Sequence, residues 1–146
     1  MPKRGGILLY EGCNGKTGVR LKCRLCGGMR GTMAIHYQRE KRIFTLHTEH
    51  TTYQMKVDDF GFLLHLYYGS SISGDMDYLL TYYDRGFSGN PADVGDNRTY
   101  SMDALPQEYP VLGVGDYRNS ALVIHNVDGS DCCDLRYVSH EIKEGK

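Results

Sequence analysis

The stretch TYYDRGFSGN, Thr81 to Asn90, sets an aspartate beside an arginine, between an aromatic run and a Gly-Asn-Pro turn. Two kinds of chemistry fit it. One is the edge of a binding site, since loop residues placed by a rigid scaffold are often functional. The other is a solvated turn in which Asp84 and Arg85 pair in water for little energetic gain.

Other candidate groups fall short of their templates. GCNGKTG ends in the Gly15-Lys16-Thr17 of a phosphate-binding loop, but that loop needs a glycine five residues before Gly15, and Tyr10 stands there. Cys23 and Cys26 form a C-x-x-C pair with Cys13 ten residues earlier, yet a structural zinc site needs four ligands and His36 lies at no standard spacing. Asp93, Asp96 and Asp103 do not follow the alternate-position pattern of a calcium loop. No metal and no cofactor is expected. Asn97-Arg98-Thr99 reads as a glycosylation acceptor, which matters only on an export route.

Glycosidic chemistry asks for two carboxylates at a fixed separation on rigid elements, one protonated and one ionised. Asp84, Asp93 and Asp96 sit instead in a loop-like segment, so no catalytic residue is assigned and the chain alone does not look like a complete enzyme.

The elements that must position these residues are short. With 146 residues, one domain is the prior. Twelve tyrosines and no tryptophan suit a β-rich protein. No apolar run is long enough to span a bilayer, and ILLY after MPKRGG is too short for a signal-peptide core, so a cytoplasmic location with free thiols is expected. Met1 to Thr32 carries seven basic side chains against one acidic, a balance of +6, while the rest balances at −7. That first segment holds eight glycines and is expected to be an irregular basic extension outside the fold. Its lack of interleaved aromatic residues argues against nucleic-acid contact.

From Met33 the texture is hairpin after hairpin. IFTLHT places Phe44 and Leu46 on one face, and His50 and Thr51 mark a tight turn. In TTYQMKV, Tyr53, Met55 and Val57 alternate with Thr52, Gln54 and Lys56, predicting a strand with the first set inward and the second in water. Leu64, Leu66 and Tyr68 share a face of the next strand, which Gly69 ends. ALVIHNV and DLRYVSHEI flank an Asp-Gly turn and predict a further hairpin. Ser70 to Tyr117 is a long segment rich in Gly, Asp, Ser and Asn, with helical character only around SMDALPQEY. Segments of that length mark function or a surface that something else covers.

Six ordered blocks, IFTLHTEHTTYQMKV, LLHLYYG, YDRGFSGNP, RTYSMDALPQEYP, GDYRNSALVIHNVDGS and LRYVSHEI, resemble the start of bacterial α-galactosidases of glycoside hydrolase family 36. The resemblance covers residues 33–146. Met33 resembles the family's natural start, and residues 1–32 have no counterpart, as though upstream sequence were translated in frame. It implies an all-β fold, an antiparallel β-sandwich forming part of a β-supersandwich. In the family a (β/α)8 barrel carrying both catalytic aspartates follows, together with a C-terminal β-domain, and this fragment stops before them.

The resemblance further implies that the long loop reaches a neighbouring subunit's active site in a homo-oligomer, a tetramer in similar members. Asp84 would accept hydrogen bonds from galactose hydroxyls and Arg98 would hold that carboxylate. Arg85, Phe87 and Asn90 would shape the loop, and Pro91 would stiffen its end. The expected function is therefore the N-terminal portion of a retaining α-galactosidase acting on melibiose- and raffinose-type sugars, with neither nucleic acid nor membrane as partner. Two alternatives stand beside it: a free-standing carbohydrate-binding or subunit-interaction module, and a small zinc- or nucleic-acid-binding protein built on the basic extension.

Overall fold

The computed structural model describes residues 3–11, 19–22, 34–84, 86 and 90–145. Its architecture is all-β, an antiparallel β-sandwich. Strands β3 (Ala34–Gln38), β4 (Ile43–His47), β5 (Thr51–Val57) and β6 (Leu63–Ser70) form a four-stranded meander in the order β3-β4-β5-β6. Strands β1 (Lys3–Glu11), β2 (Val19–Lys22) and β7 (Arg136–Gly145) form a second sheet in the order β2-β1-β7.

Tight connections set the register of the meander. Between β4 and β5, the Thr48 hydroxyl accepts the Thr51 N–H at 2.9 Å, and the expected turn at His50 and Thr51 is present. Between β5 and β6, Gly61 at φ +87° closes the turn Asp58–Gly61, donating its N–H to the Asp58 carbonyl at 3.2 Å. Only glycine adopts that backbone without strain.

The long segment after β6 is a cover for the sheet. Adjacent residues of a strand face opposite sides. Leu63 enters a core cluster with Phe44, Met55, Val57, Val111, Cys133 and Leu135, whereas Leu64 enters a second cluster with Phe62, Val94, Tyr100, Met102 and Leu105. Val94 through Leu105 belong to the long segment, so it shields the face that a bare meander would leave wet. Backbone bonds clamp it down, with His65 N–H to the Pro106 carbonyl at 2.7 Å and Glu108 N–H to the Leu63 carbonyl at 2.9 Å.

This cover corrects three expectations. Thr52 and Gln54 are buried rather than in water. The Gln54 amide donates to the Gly74 carbonyl at 2.7 Å and accepts the Met76 N–H at 3.0 Å, so its polar atoms replace water with backbone. A register shift between Gln54 and Met55 accompanies burial on both faces. In β6, Leu63 is buried as well as Leu64 and Leu66, while Tyr68 is exposed. Around SMDALPQEY there are turns at Ser101, with 3-10 turns instead at Asp77–Leu79 and Ala92–Val94.

Two further expectations change. The Asp-Gly turn forms, with Asn126 N–H on the Ser130 carbonyl at 2.8 Å, but ALVIHNV forms no strand. The Ala121 N–H goes to the Pro110 carbonyl instead, and Leu122 and Ile124 pack on the first core cluster. With ALVIHNV turned away, β7 pairs with β1 along Lys3–Glu11. The extension, expected to be irregular, is therefore extended in the two segments described. An open strand edge offers unpaired N–H and C=O groups that any extended chain can satisfy, whatever its charge. Cys13, Cys23, Cys26 and the Gly15-Lys16-Thr17 motif lie outside the described residues.

Candidate functional site

The Asp84 arm begins on a fixed base. Gln54 grips Gly74 and Met76, and Lys41 reaches Asp75 at 3.0 Å and Asp77 at 3.6 Å. From the 3-10 turn Asp77–Leu79 the chain runs outward, and its even-numbered side chains meet those of the segment around Arg98 in reverse order. Leu80 packs on the cluster containing Tyr100 and Met102. The Tyr82 ring stacks on Tyr100, with centroids 6.0 Å apart and planes at 21°. Asp84 then meets Arg98. Arg98 and Thr99 are the middle of a turn closed by the Tyr100 N–H on the Asn97 carbonyl at 3.1 Å, and the arm meets that turn through side chains.

At the tip, Asp84 Oδ1 accepts the Gly86 N–H at 2.6 Å and Arg98 Nη2 at 3.3 Å, while Nη2 lies 3.2 Å from Oδ2. The Asp84 side chain stays 46 % exposed and that of Arg98 68 %. A carboxylate has about four lone-pair positions, so acceptor capacity remains for donors from outside. The structure thus brings both expected site residues together and turns both to solvent. The solvated-turn reading finds its Asx-type cap in the Gly86 bond, while Arg85 and Phe87 lie outside the described residues. Asn90 shapes the loop as expected, its amide N–H donating to the Asn97 carbonyl at 2.9 Å.

Below the arm lies a polar anchor that the sequence did not disclose. Tyr100, itself buried, donates its hydroxyl to Asp58 Oδ2, and Asp58 Oδ1 accepts the N–H groups of Phe60 at 3.0 Å and Phe62 at 2.8 Å. Burial pushes the Asp58 carboxyl above its ordinary range, with these three donors pulling the other way. Burial and the Asp58 carboxylate likewise raise Tyr100 far above an ordinary phenol, and burial followed by the charges of Asp58 and Asp59 raises Tyr82. The available signal was spacing on one side only: Tyr82 stands two before Asp84, the interval that brings side chains to one face where chain is extended, whereas Arg98 and Tyr100 belong to a turn closed by the Tyr100 N–H on the Asn97 carbonyl at 3.1 Å.

A second missed group borders the arm. Arg136 at the start of β7 bonds Asp134 at 2.6 Å, Asp93 at 3.0 Å and the Phe60 carbonyl at 2.6 Å, with its guanidinium 3.9 Å over the Phe62 ring. Burial opposes its charge, but Asp134 and Asp93 more than restore it, and the Arg136 hydrogen bond holds Asp93 below the usual carboxylate range. These residues line an open cleft of about 780 Å³ with Phe60, Asn90 and Tyr117. Among the described residues no group of three His, Cys, Asp or Glu is arranged to hold a metal, and His36 is exposed on β3. No helix among them is long and apolar enough to cross a membrane.

Comparison with known proteins places this geometry. Residues 61–146 match the glycosyl hydrolase family 36 N-terminal domain. The bifunctional alpha-galactosidase/sucrose kinase AgaSK of Mediterraneibacter gnavus is 64 % identical over 114 residues, 78 % of this chain and 12 % of that protein. Its solved galactosidase domain superposes with a TM-score of 0.70, over 73 % of this chain and 15 % of the solved one. Alpha-galactosidase Mel36A of Lactobacillus acidophilus is 37 % identical over 113 residues, 77 % of this chain and 15 % of the relative. A variant of alpha-galactosidase AgaA from Geobacillus stearothermophilus, solved in complex with raffinose, gives a TM-score of 0.60 at 35 % identity, covering 66 % of this chain and 13 % of that one. The chain thus spans less than a fifth of the proteins it matches. With 86 of its 146 residues inside the matched domain, it belongs to glycosyl hydrolase family 36, as part of that family's N-terminal domain.

Proposed function

We propose that the chain is the N-terminal β-sandwich portion of a retaining α-galactosidase acting on terminal α-galactosides such as melibiose and raffinose, and that its Asp84 arm forms one wall of a sugar subsite. The observation that carries this reading is the exposed Asp84–Arg98 pair at the end of an anchored arm. Arg98 orients the carboxylate, and the free lone pairs accept hydroxyl hydrogens, the donors a galactosyl group presents. Alpha-galactosidase relatives, one of them solved with raffinose, favour that ligand class. The catalytic acid and nucleophile come from a barrel outside this sequence, and the pocket the arm completes belongs to a neighbouring copy in a cytoplasmic homo-oligomer.

The unit that does this is residues 33–146. The relatives align over 108 to 116 residues, an extent close to that of residues 33–146. The test is replacement of the matching segment of AgaSK by residues 33–146. The chimera hydrolyses a chromogenic α-galactoside, and AgaSK lacking the segment does not. An inactive but folded chimera overturns the proposal.

A second reading, a free-standing carbohydrate-binding or subunit-interaction module, draws on the exposed run of Tyr78, Leu79, Tyr82 and Tyr83. Apolar side chains gathered on one stretch mark interfaces. A module of that kind is a soluble monomer that keeps sugar affinity, whereas a fragment of a larger enzyme self-associates when purified alone.

A further inference from the structure

We propose that Tyr82, Tyr100 and Asp58 form a positioning relay that determines where the Asp84 carboxylate stands. The proposal rests on the reading of Asp84 as a sugar contact, which it deepens by naming the residues that place the contact without touching the ligand.

The relay starts in rigid ground. Asp58 is 3 % exposed and holds two backbone N–H groups of the β5–β6 turn, at Phe60 and Phe62, with one oxygen. Its other oxygen takes the Tyr100 hydroxyl. A phenol bonded at its far end cannot slide along its ring plane, and the Phe60 ring set edge-on, 4.8 Å from Tyr100, blocks it from the side. Tyr100 is therefore a fixed plate.

Tyr82 rests on that plate, nearly parallel to it. Two residues on, Asp84 meets Arg98, which stands two residues before Tyr100 inside the turn that the Tyr100 N–H closes on the Asn97 carbonyl at 3.1 Å, so the plate and the guanidinium are joined by that turn. Displacing the Tyr82 ring therefore shifts Asp84 relative to Arg98, and no regular backbone pairing between the two segments is recorded among the described residues to resist the shift. Tyr82 and Tyr100 are positioning residues for the tip, and the stack is the joint that holds it.

Deuterium uptake in the ligand-free full chain tests the relay, read on the peptide containing Gly86, whose N–H bonds to Asp84 Oδ1. Tyr82→Leu removes the stack and speeds uptake there by about tenfold, while peptides of β4 and β5 keep the parent rate. Tyr82→Phe keeps the ring and restores the parent rate. Tyr100→Phe, which leaves the core filled, releases the plate from Asp58 and speeds uptake by a smaller factor. Unchanged uptake at Gly86 in both Tyr82→Leu and Tyr100→Phe overturns the relay. So does equal acceleration in β4 and β5, which marks loss of fold in place of loss of position. No sugar is present, so the relay stands or falls apart from the subsite reading: faster uptake beside an Asp84 that proves indifferent to galactosides supports the relay and rejects only the subsite.

Discussion

The Arg98 guanidinium stands 3.2 Å from Asp84 Oδ2 at the outer end of an arm whose inner end packs on a core cluster through the half-buried Leu80. Ion pairs this exposed contribute about 0–1 kcal/mol, so stability does not account for the pair. Asp84→Asn and Arg98→Ala are accordingly expected to change unfolding free energy by less than about 0.5 kcal/mol, checked by urea denaturation. A loss of several kcal/mol in either variant contradicts the view that the tip is built for contact.

Asp58 is the opposite case. Asp58→Ala leaves the Tyr100 hydroxyl and two turn N–H groups without an acceptor, at an expected cost of about 2–4 kcal/mol. Its pH dependence has a definite sign. Burial raises the carboxyl above its unfolded value of 3.8, so the folded state favours the proton. The associated stability is present below that value and is lost as pH rises through the folded pKa. Denaturation between pH 3.5 and 7 is expected to show wild type losing stability relative to Asp58→Asn as pH increases, and parallel curves contradict the assignment.

Arg136 ties the start of β7 to the β5–β6 turn and to Asp93 in the covering segment. Arg136→Met keeps apolar bulk over Phe62 but abandons the Phe60 carbonyl and two carboxylates. The expected loss is about 2–3 kcal/mol, read from the melting temperature. For Asp93, whose carboxyl is depressed by Arg136, the contribution is present above 3.8 and fades as pH falls through the lower folded value. Arg136→Met removes that fade.

Gly113 is expected to tolerate no side chain. Its φ is +123°, and a Cβ there would lie 2.9 Å from the Cys132 Cβ and 3.0 Å from the Cys133 nitrogen. Backbone lies in the way, so Gly113→Ala lowers stability by about 2 kcal/mol or more, against a negligible change for Ala92→Ser on the exposed 3-10 turn. Differential scanning of the two variants decides it.

The meander was legible because β4, β5 and β6 carry strand residues between clear turn signals at Thr48–His50 and Asp58–Gly61. Period-two reading failed at Thr52 and Gln54 because it assumes one wet face, and that face is roofed by the covering segment, whose core-facing residues Leu80, Val94, Tyr100, Met102 and Leu105 follow no strand or helix period. ALVIHNV reads as a strand locally, but Pro110 and the core claim its donors and side chains, a long-range competition that no window of residues contains. Asp84 and Arg98 emerged from resemblance to a family. Their anchors at Tyr82, Tyr100 and Asp58 span 42 positions in sequence and became visible only when the chain folded them together.

The most direct measurement is the steady-state kinetics of the AgaSK chimera on raffinose, with Asp84→Asn as the variant. The account predicts a fall in kcat/KM of about a hundredfold, the cost of losing a charge-assisted acceptor at a substrate hydroxyl, with the melting temperature unchanged. Equal kcat/KM in the two proteins contradicts it.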